Sequence, residues 1–346
     1  MKSISIAMAT YNGRQNIKRQ LDSIAAQTHL PDELVITDDQ SDDDTTVVLD
    51  AFSKISPFPV KIHRNETRLG YRNNFMRAAS LCQSELIAFC DQDDYWHPRK
   101  IEVVAAPFSD PDVLLVYHDA NVVTDSGEQI GSLIERVPKQ QILGPLSSGP
   151  FLHALGFTET FRRSLLQFSD LWPQSLDQDR LGDPLAHDQW FFFLASVFGT
   201  IVYIDEPLVD YIQHAHNTHG WGKPGFREFA EKYLRNHSQR LSHVAKAMRS
   251  RVDILDATKR KVEGVWGERA TVAAQHYRSL ASHHALRAKL YESHRLSERI
   301  SAYRAIARSG GYAGGPWTLG RRCAAIDLCP GIVIGHLLPP STYWLG

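Results

Sequence analysis

Five short apolar runs punctuate the first 120 residues of this chain, and between them apolar side chains return at helical spacing. Ser3 to Ala9, Glu33 to Thr37, Val60 to His63, Leu86 to Cys90 and Val113 to His118 read as strands, each bounded by polar or turn residues. Ile17, Leu21 and Ile24 mark a first helix, Val47, Val48 and Ala51 a second, and Phe75, Ala78, Ala79 and Cys82 a third. Strand and helix alternating in this way predict an α/β fold, with a mostly parallel sheet covered by helices on both faces. Ligands of such sheets bind beyond the carboxyl ends of the strands. Chemistry should therefore be sought just after each strand.

The pattern loosens from 125 to 186, where Pro138, Pro145, Pro150, Pro173 and Pro184 interrupt it; an acceptor-side surface is expected there. His187 to Phe198 reads as an apolar helix, followed by strands at Thr200 to Ile204 and Leu208 to Ile212. No proline occurs between Pro224 and Pro316, and Ala, Arg, Lys, Leu and Glu dominate, which predicts a helical extension. The expected division is a domain of residues 1–224 and a mainly helical, basic region of residues 225–346. Charge follows the same line. Residues 1–224 hold 18 Lys and Arg against 30 Asp and Glu, while residues 225–308 hold 18 against 8. The basic stretch suits an anionic partner such as a membrane surface, or it is a solvated helical face.

Leu328 to Gly346 carries no charged residue, but Pro330, Pro339 and Pro340 break it. Its apolar run Ile332 to Leu338 falls far short of the ~20 residues a span needs. Interfacial docking beside the basic helices and packing onto the protein are both open readings. With 43% apolar and 22% charged residues, the chain is neither a disordered nor a multi-span membrane sequence. Cys82, Cys90, Cys323 and Cys329 form no CxxC pair, and a strand-like stretch begins at Ser3 with no leader before it. A cytoplasmic location is expected, with peripheral contact at the inner face of the cell membrane through the basic helices. A homo-oligomeric state is left open.

Asp91-Gln92-Asp93-Asp94 follows the run Leu86 to Cys90, so three carboxylates emerge together at the end of a central strand. Like charges this close raise one another's pKa, and a hard divalent cation, Mg2+ or Mn2+, would relieve the repulsion. A solvated acidic loop or a cap for the segment after Pro98 is the plain alternative. Thr10-Tyr11-Asn12-Gly13 ends the first strand and Asp38-Asp39-Gln40-Ser41-Asp42 the second, so these groups should share one cleft with the acidic cluster. Tyr11 offers a stacking face for a nucleobase, Asp39 an acceptor for a base N–H, and a cation at Asp93 would neutralise a diphosphate. No GxGxxG follows the first strand and no GxxxxGK[ST] occurs, which excludes nicotinamide oxidoreductases and P-loop nucleotidases. Nucleic-acid binding is not expected, because aromatics are not interleaved with the basic residues as stacking platforms.

The stretches "SIAMATYNGRQNIKRQLDSIAAQT", "DELVITDDQSDDDT", "NETRLGYRNNF" and "LIAFCDQDDYWHPRKI" resemble the family 2 inverting glycosyltransferases of the GT-A (Rossmann-like) fold, over roughly residues 1 to 120 and more loosely to about 220. By this resemblance Asp91-Gln92-Asp93 stands at the DxD motif, with Asp91 toward the ribose and Asp93 holding the metal. Asp39 stands where the base is read, and Tyr11 packs on the base, with Thr10 and Asn12 beside it. Ala9 departs from the family by lacking a hydroxyl, so uracil and thymine nucleotides both stay open.

His187-Asp188-Gln189-Trp190 opens the apolar helix, where the family places the base that deprotonates the acceptor; Asp188 is therefore the candidate catalytic residue. Alone, it also reads as a carboxylate favoured by the helix dipole. Trp190 to Phe193 would partly desolvate it. Tyr211 to Gly220 resembles the Tyr-x-Gln-His-x-x-Asn loop of bacterial polysaccharide transferases, which puts His214 at the diphosphate or metal. His216 and His219 have no role, and no helix register brings all three histidines together for zinc. Arg72 would add charge near the diphosphate, with an ordinary surface arginine as the plain alternative, and Asn73 and Asn74 would cap the third helix.

The implied activity is metal-dependent transfer of a sugar from a UDP- or dTDP-sugar to a hydroxyl of a saccharide or lipid-linked saccharide, in cell-surface polysaccharide synthesis such as O-antigen or capsule. A non-catalytic nucleotide-sugar binding module and a nucleotidyltransferase are the alternatives.

Overall fold

The computed structural model describes residues 2–134, 141–214 and 237–334, and the chain divides into two compact units. The first comprises Met1–Pro145, His153–Ser169 and Ala186–Trp221; the second comprises Leu146–Leu152, Asp170–Leu185 and Gly222–Gly346. The expected boundary at 224 and 225 lies outside the described residues, and the second unit also draws in two earlier segments.

The first unit opens with β1 (Ile4–Thr10), α1 (Ile17–Ala25), β2 (Glu33–Asp38), α2 (Thr45–Ser53), β3 (Val60–Arg64), α3 (Tyr71–Leu81) and β4 (Leu86–Cys90). It continues through β5 (Tyr95–Trp96), α4 (Lys100–Ala105), β6 (Val113–Thr124), β7 (Gln129–Ser132), β8 (Ile142–Leu143), β9 (Thr160–Arg162), α5 (His187–Phe198) and β10 (Thr200–Gln213). The main sheet runs β3-β2-β1-β4-β9-β6-β10-β5. β1 to β4 are parallel to one another, and β6 is parallel to β10. β9 lies antiparallel between β4 and β6. All residues of β1, β2 and β4 are buried, as unbroken apolar runs require when both faces of a parallel sheet are covered. Strand order reverses at β1, between β2 and β4, which is where such sheets open a crevice at their carboxyl edge.

Helix faces follow the apolar periodicity in two cases out of three. Ile17, Leu21 and Ile24 are fully buried, each contributing roughly 1.5–3 kcal/mol through the area it hides from water. Phe75, Ala78, Ala79 and Cys82 are buried likewise. In α2 the expected face is wrong: Val47 and Ala51 are exposed and Val48 only partly covered, while Thr45, Leu49 and Phe52 face inward. Thr45 fixes that rotation, because its hydroxyl accepts the Gly13 N–H at 2.8 Å. The strands expected at 200–204 and 208–212 are one strand, β10, with register shifts on either side of Pro207. Proline in a strand is tolerated at such irregularities because it cannot donate to the ladder. β6 runs on past His118 to Thr124, pairing with β7 as well as β10.

In the second unit, α6 (His237–Thr258), α7 (Val265–Glu292) and α8 (Leu296–Arg308) carry out the expected helical extension, and a short α9 (Gly320–Ile326) follows. The turn before α7 uses Gly264 at φ 63°, a conformation that costs glycine no Cβ clash. Ala270, Ala273, Ala274 and Ala281 on α7 are buried, as are Val244, Ala245, Ala247 and Met248 on α6. Leu241, Ala288, Leu290, Tyr291 and Ala302 form the unit's apolar cluster. Buried Arg251 donates to Gln178 Oε1 at 2.5 Å. Residues 225–236 and the tail from 335 lie outside the described residues. Among the described residues, no helix is long and apolar enough to cross a membrane.

Candidate functional site

The carboxyl ends of β1, β2 and β4 lie side by side, and the loops leaving β1 and β2 are laced together. Asn12, in the left-handed region at φ 48°, donates its N–H to Ser41 Oγ at 2.9 Å and accepts the Asp42 N–H at 3.0 Å. The Arg14 N–H goes to Asp43 Oδ2 at 3.1 Å. Thr10 is buried, and its hydroxyl donates to Asp38 Oδ1 at 3.1 Å, so it organises the strand ends. Gln92 holds both backbone groups of Tyr11, accepting its N–H and donating to its carbonyl, each at 3.0 Å. The Arg68 guanidinium lies 3.8 Å from the centre of the Tyr11 ring, so a cation occupies one face of that aromatic platform.

Asp39 is buried and already accepts three donors: Asn65 Nδ2 at 2.7 Å, the Leu69 N–H at 2.7 Å and the Gly70 N–H at 2.8 Å. A carboxylate offers about four acceptor positions, which leaves about one for a base N–H. Asn74 does not cap α3. Its amide donates to the Thr37 carbonyl at 2.9 Å and its oxygen accepts from Asn65 at 2.9 Å, tying the β2 end to the loop after β3. Gly70 occupies the cap position with no side-chain bond there, and the Asn73 amide donates to the Leu69 carbonyl at 3.0 Å.

After β4 the three carboxylates converge: ligand oxygens of Asp91, Asp93 and Asp94 all lie within 4.8 Å of one another. Asp94 is buried; one oxygen accepts the Ile212 N–H at 3.3 Å, and Oδ2 has no hydrogen-bond partner. Burial first, then the neighbouring Asp93 and Asp91, push the Asp94 carboxyl well above the usual range. Asp91 is pushed up to about 8 by burial, with Asp93 and then Asp188 adding to the shift. His214 Nε2 is 3.0 Å from Asp93 Oδ2, and Arg19 donates to the Asp93 carbonyl at 2.8 Å. A crowded, oxygen-only set with one buried oxygen unpaired fits a hard divalent cation. His216 and His219 lie outside the described residues.

Asp188 sits in the first turn of α5, half-buried, and one of its oxygens accepts the Gln189 N–H at 2.7 Å. The Gln189 side chain caps the same end by accepting the Ala186 N–H at 3.1 Å. Trp190, Phe191, Phe192 and Phe193 are buried and anchor this helix. Asp91 therefore stands in the field of both Asp93 and Asp188. Arg72 is buried, its Nε donating to Tyr71 Oη at 3.0 Å, and its charge bears on His187.

Four groups beside the site escape sequence reasoning. Lys100 is fully buried; its ammonium donates to the Phe157 carbonyl at 2.6 Å and sits 3.9 Å from the centre of the Trp96 ring. Burial lowers its pKa to about 7, against the pull of Cys90, Asp94 and Asp91. Glu159 is fully buried just before β9, and burial together with Asp188 raises its carboxyl well above the usual range. His187 stacks on Phe75 with ring centres 4.0 Å apart, and burial lowers its pKa to about 4. Arg68 and Lys100 lie within family-like stretches and His187 opens the block that holds Asp188, whereas Glu159 gave no signal.

The profile of "Glycosyl transferase family 2" matches residues 5–168. An uncharacterized glycosyltransferase of Nostoc sp. is 30% identical over 138 residues, covering 39% of this chain and 42% of its own length. The glucosyltransferase WfaP of Escherichia coli is 33% identical over 101 residues, 29% of this chain and 39% of its own. The chain thus spans less than two thirds of these curated relatives. The crystal structure of Staphylococcus aureus TarS 1–349 with UDP-GlcNAc is similar at a TM-score of 0.48 and 17% identity, covering 90% of this chain and 93% of that one. Over residues 5–168 the chain is thus similar to glycosyl transferase family 2.

Proposed function

We propose that this chain is a metal-dependent inverting glycosyltransferase that moves a sugar from a nucleoside-diphosphate donor to a hydroxyl of a saccharide acceptor. The observation that carries the reading is the convergence of Asp91, Asp93 and Asp94 after β4, with Asp188 near enough to add to the upward shift of the Asp91 carboxyl. An acidic cluster suited to a cation and a separate half-buried carboxylate are therefore within electrostatic reach of one another. Tyr11 and Asp39 at the adjoining strand ends suit the base of a uracil or thymine nucleotide. WfaP bears the name of a UDP-Glc:α-D-GlcNAc-diphosphoundecaprenol β-1,3-glucosyltransferase, which favours a UDP-sugar donor and a lipid-linked acceptor for this chain too, in cell-surface polysaccharide synthesis.

Asp91, Asp93 and Asp94 would hold Mg2+ or Mn2+, which when bound supplies charge neutralisation for the diphosphate. The protein's own part is acid–base chemistry and positioning. Asp188 accepts the proton of the acceptor hydroxyl as that oxygen bonds to the anomeric carbon, and the bond from this carbon to the diphosphate oxygen breaks on the opposite face, inverting the centre. Asn12, Ser41 and Thr45 keep the nucleotide-side loops in place so that the donor is oriented before reaction. General-base contributions of this kind are worth roughly 10²–10⁴-fold.

The test is release of nucleoside diphosphate from a panel of UDP- and dTDP-sugars with Mn2+, with and without lipid-linked and soluble saccharide acceptors. Asp188→Asn should lower acceptor-dependent turnover by about 10²–10⁴-fold while leaving the donor-induced thermal shift in place. Unchanged turnover in this variant would remove Asp188 from the mechanism. Donor binding with no turnover on any acceptor would favour the binding-module alternative.

A further inference from the structure

We propose that the outward face of the helical segment 320–334 is an interfacial anchor that docks the second unit onto an anionic lipid surface. The segment is pinned from within. Asp327 is fully buried and accepts from Arg287 Nε at 2.7 Å and Nη2 at 3.0 Å, from Tyr291 Oη at 2.8 Å and from Tyr312 Oη at 2.9 Å. Gly331 lies so close to α7 that a Cβ there would come within 2.8 Å of Leu290 Cδ2 and 3.1 Å of Tyr291 Oη. Ile332 packs on the Leu290 cluster.

With Asp327 and Gly331 held inward, the other side of the same turns faces out. It carries Arg321 and Arg322, then Ile326 at 40%, Leu328 at 52% and Val333 at 62% exposure. Arg322, Ile326, Cys329 and Val333 are spaced as one helical stripe, and all four are exposed. A solvated helix would place polar residues there. Single exposed apolar residues need no explanation, but several in one stripe beside two arginines do.

Charge selects the occupant. From residue 309 to the end the chain has two basic residues and a single acidic one, Asp327, whose carboxylate is already spent on Arg287. The segment's outward face is therefore cationic and apolar with no acidic group of its own, which complements anionic headgroups over a hydrocarbon layer. This inference does not depend on the transfer reaction, and it is read without donor or acceptor.

The experiment is co-sedimentation of the full chain with vesicles of mixed phosphatidylglycerol and phosphatidylcholine, and with phosphatidylcholine alone. The wild-type chain should pellet with the anionic vesicles, less so at high salt. The triple variant Ile326→Asp, Leu328→Asp, Val333→Asp should fall to background while keeping the wild-type circular dichroism and melting temperature. Arg321→Glu with Arg322→Glu should weaken binding by at least roughly 30-fold, since each arginine near an anionic surface is worth about fivefold.

Three results would overturn the proposal. The first is wild-type chain that stays in the supernatant with anionic vesicles, or a triple variant that pellets like wild type. The second is a vesicle-silent wild type whose oligomeric state by light scattering changes in the triple variant, which makes the face a contact between copies. The third is binding that appears only after deletion of residues 335–346, which makes the tail its cover.

Discussion

His187 adjoins the proposed base and should make the stability of the first unit fall steeply in mild acid. Its imidazole is 5% exposed, stacked on Phe75 and set edge-on to Phe89 with ring centres 4.6 Å apart, and neither ring nitrogen has a hydrogen-bond partner. Burial lowers its pKa to about 4 from 6.5. The sign follows from proton uptake. Below pH 6.5 the unfolded chain binds a proton at this site and the folded chain does not until about pH 4, so the contribution is complete above 6.5 and is lost as pH falls.

Two pH units at about 1.4 kcal/mol each give a loss of about 2–3 kcal/mol between pH 7 and pH 4.5. Against a total stability of roughly 5–15 kcal/mol this is readily measured. His187→Leu keeps a similar volume and removes the titrating site. Urea denaturation at the two pH values should show wild type losing about 2–3 kcal/mol more than the variant, whatever the variant's stability at pH 7. Equal losses would refute the reasoning, as would an NMR titration placing the imidazole near 6.5.

Three other outcomes are expected. Asp93→Asn should abolish the Mn2+-dependent rise in melting temperature without lowering the metal-free value. In wild type that rise should grow from pH 6.5 to 8.5, because below about 8 the cation must displace the Asp91 proton. Gly13→Ala would bring a Cβ to 2.3 Å from Gln92 Oε1, displacing the side chain that fixes Tyr11; a destabilisation of about 1–3 kcal/mol and a weaker UDP-induced thermal shift should accompany it. Asp327→Ala leaves the Arg287 guanidinium buried without its partner and should cost about 3–5 kcal/mol by chemical denaturation. The double replacement Arg287→Met, Asp327→Leu should recover much of that loss.

Much of the architecture around β1 to β4 is legible in the chain because its signals are local. Apolar runs such as Leu86 to Cys90 are continuous because β4 is covered on both faces, and three carboxylates directly after that run must emerge together wherever the strand ends. Asp188 is legible for the same reason, at the head of an unmistakable apolar helix. The rotation of α2 was not legible: Thr45 faces inward to meet Gly13, a partner 32 residues away, and carries Val47 out into solvent.

Glu159, Lys100 and Asp327 mark where sequence stops. Nothing near Glu159 distinguishes it from a surface acid, and it is buried because antiparallel pairing of β9 with β4 sets Thr160 opposite Ala88. Lys100 looks like a solvated helix residue until Trp96 and the Phe157 carbonyl close over it. Asp327 meets Arg287 across 40 residues. Periodicity and turn chemistry act over a few residues, so the chain alone settled the alternation of β1 to β4 with the first three helices and the acidic tip of β4, but not the short strands β5, β7, β8 and β9. Which charges face one another, and which lose their water, depends on register and packing between distant segments, and only the folded structure decided those.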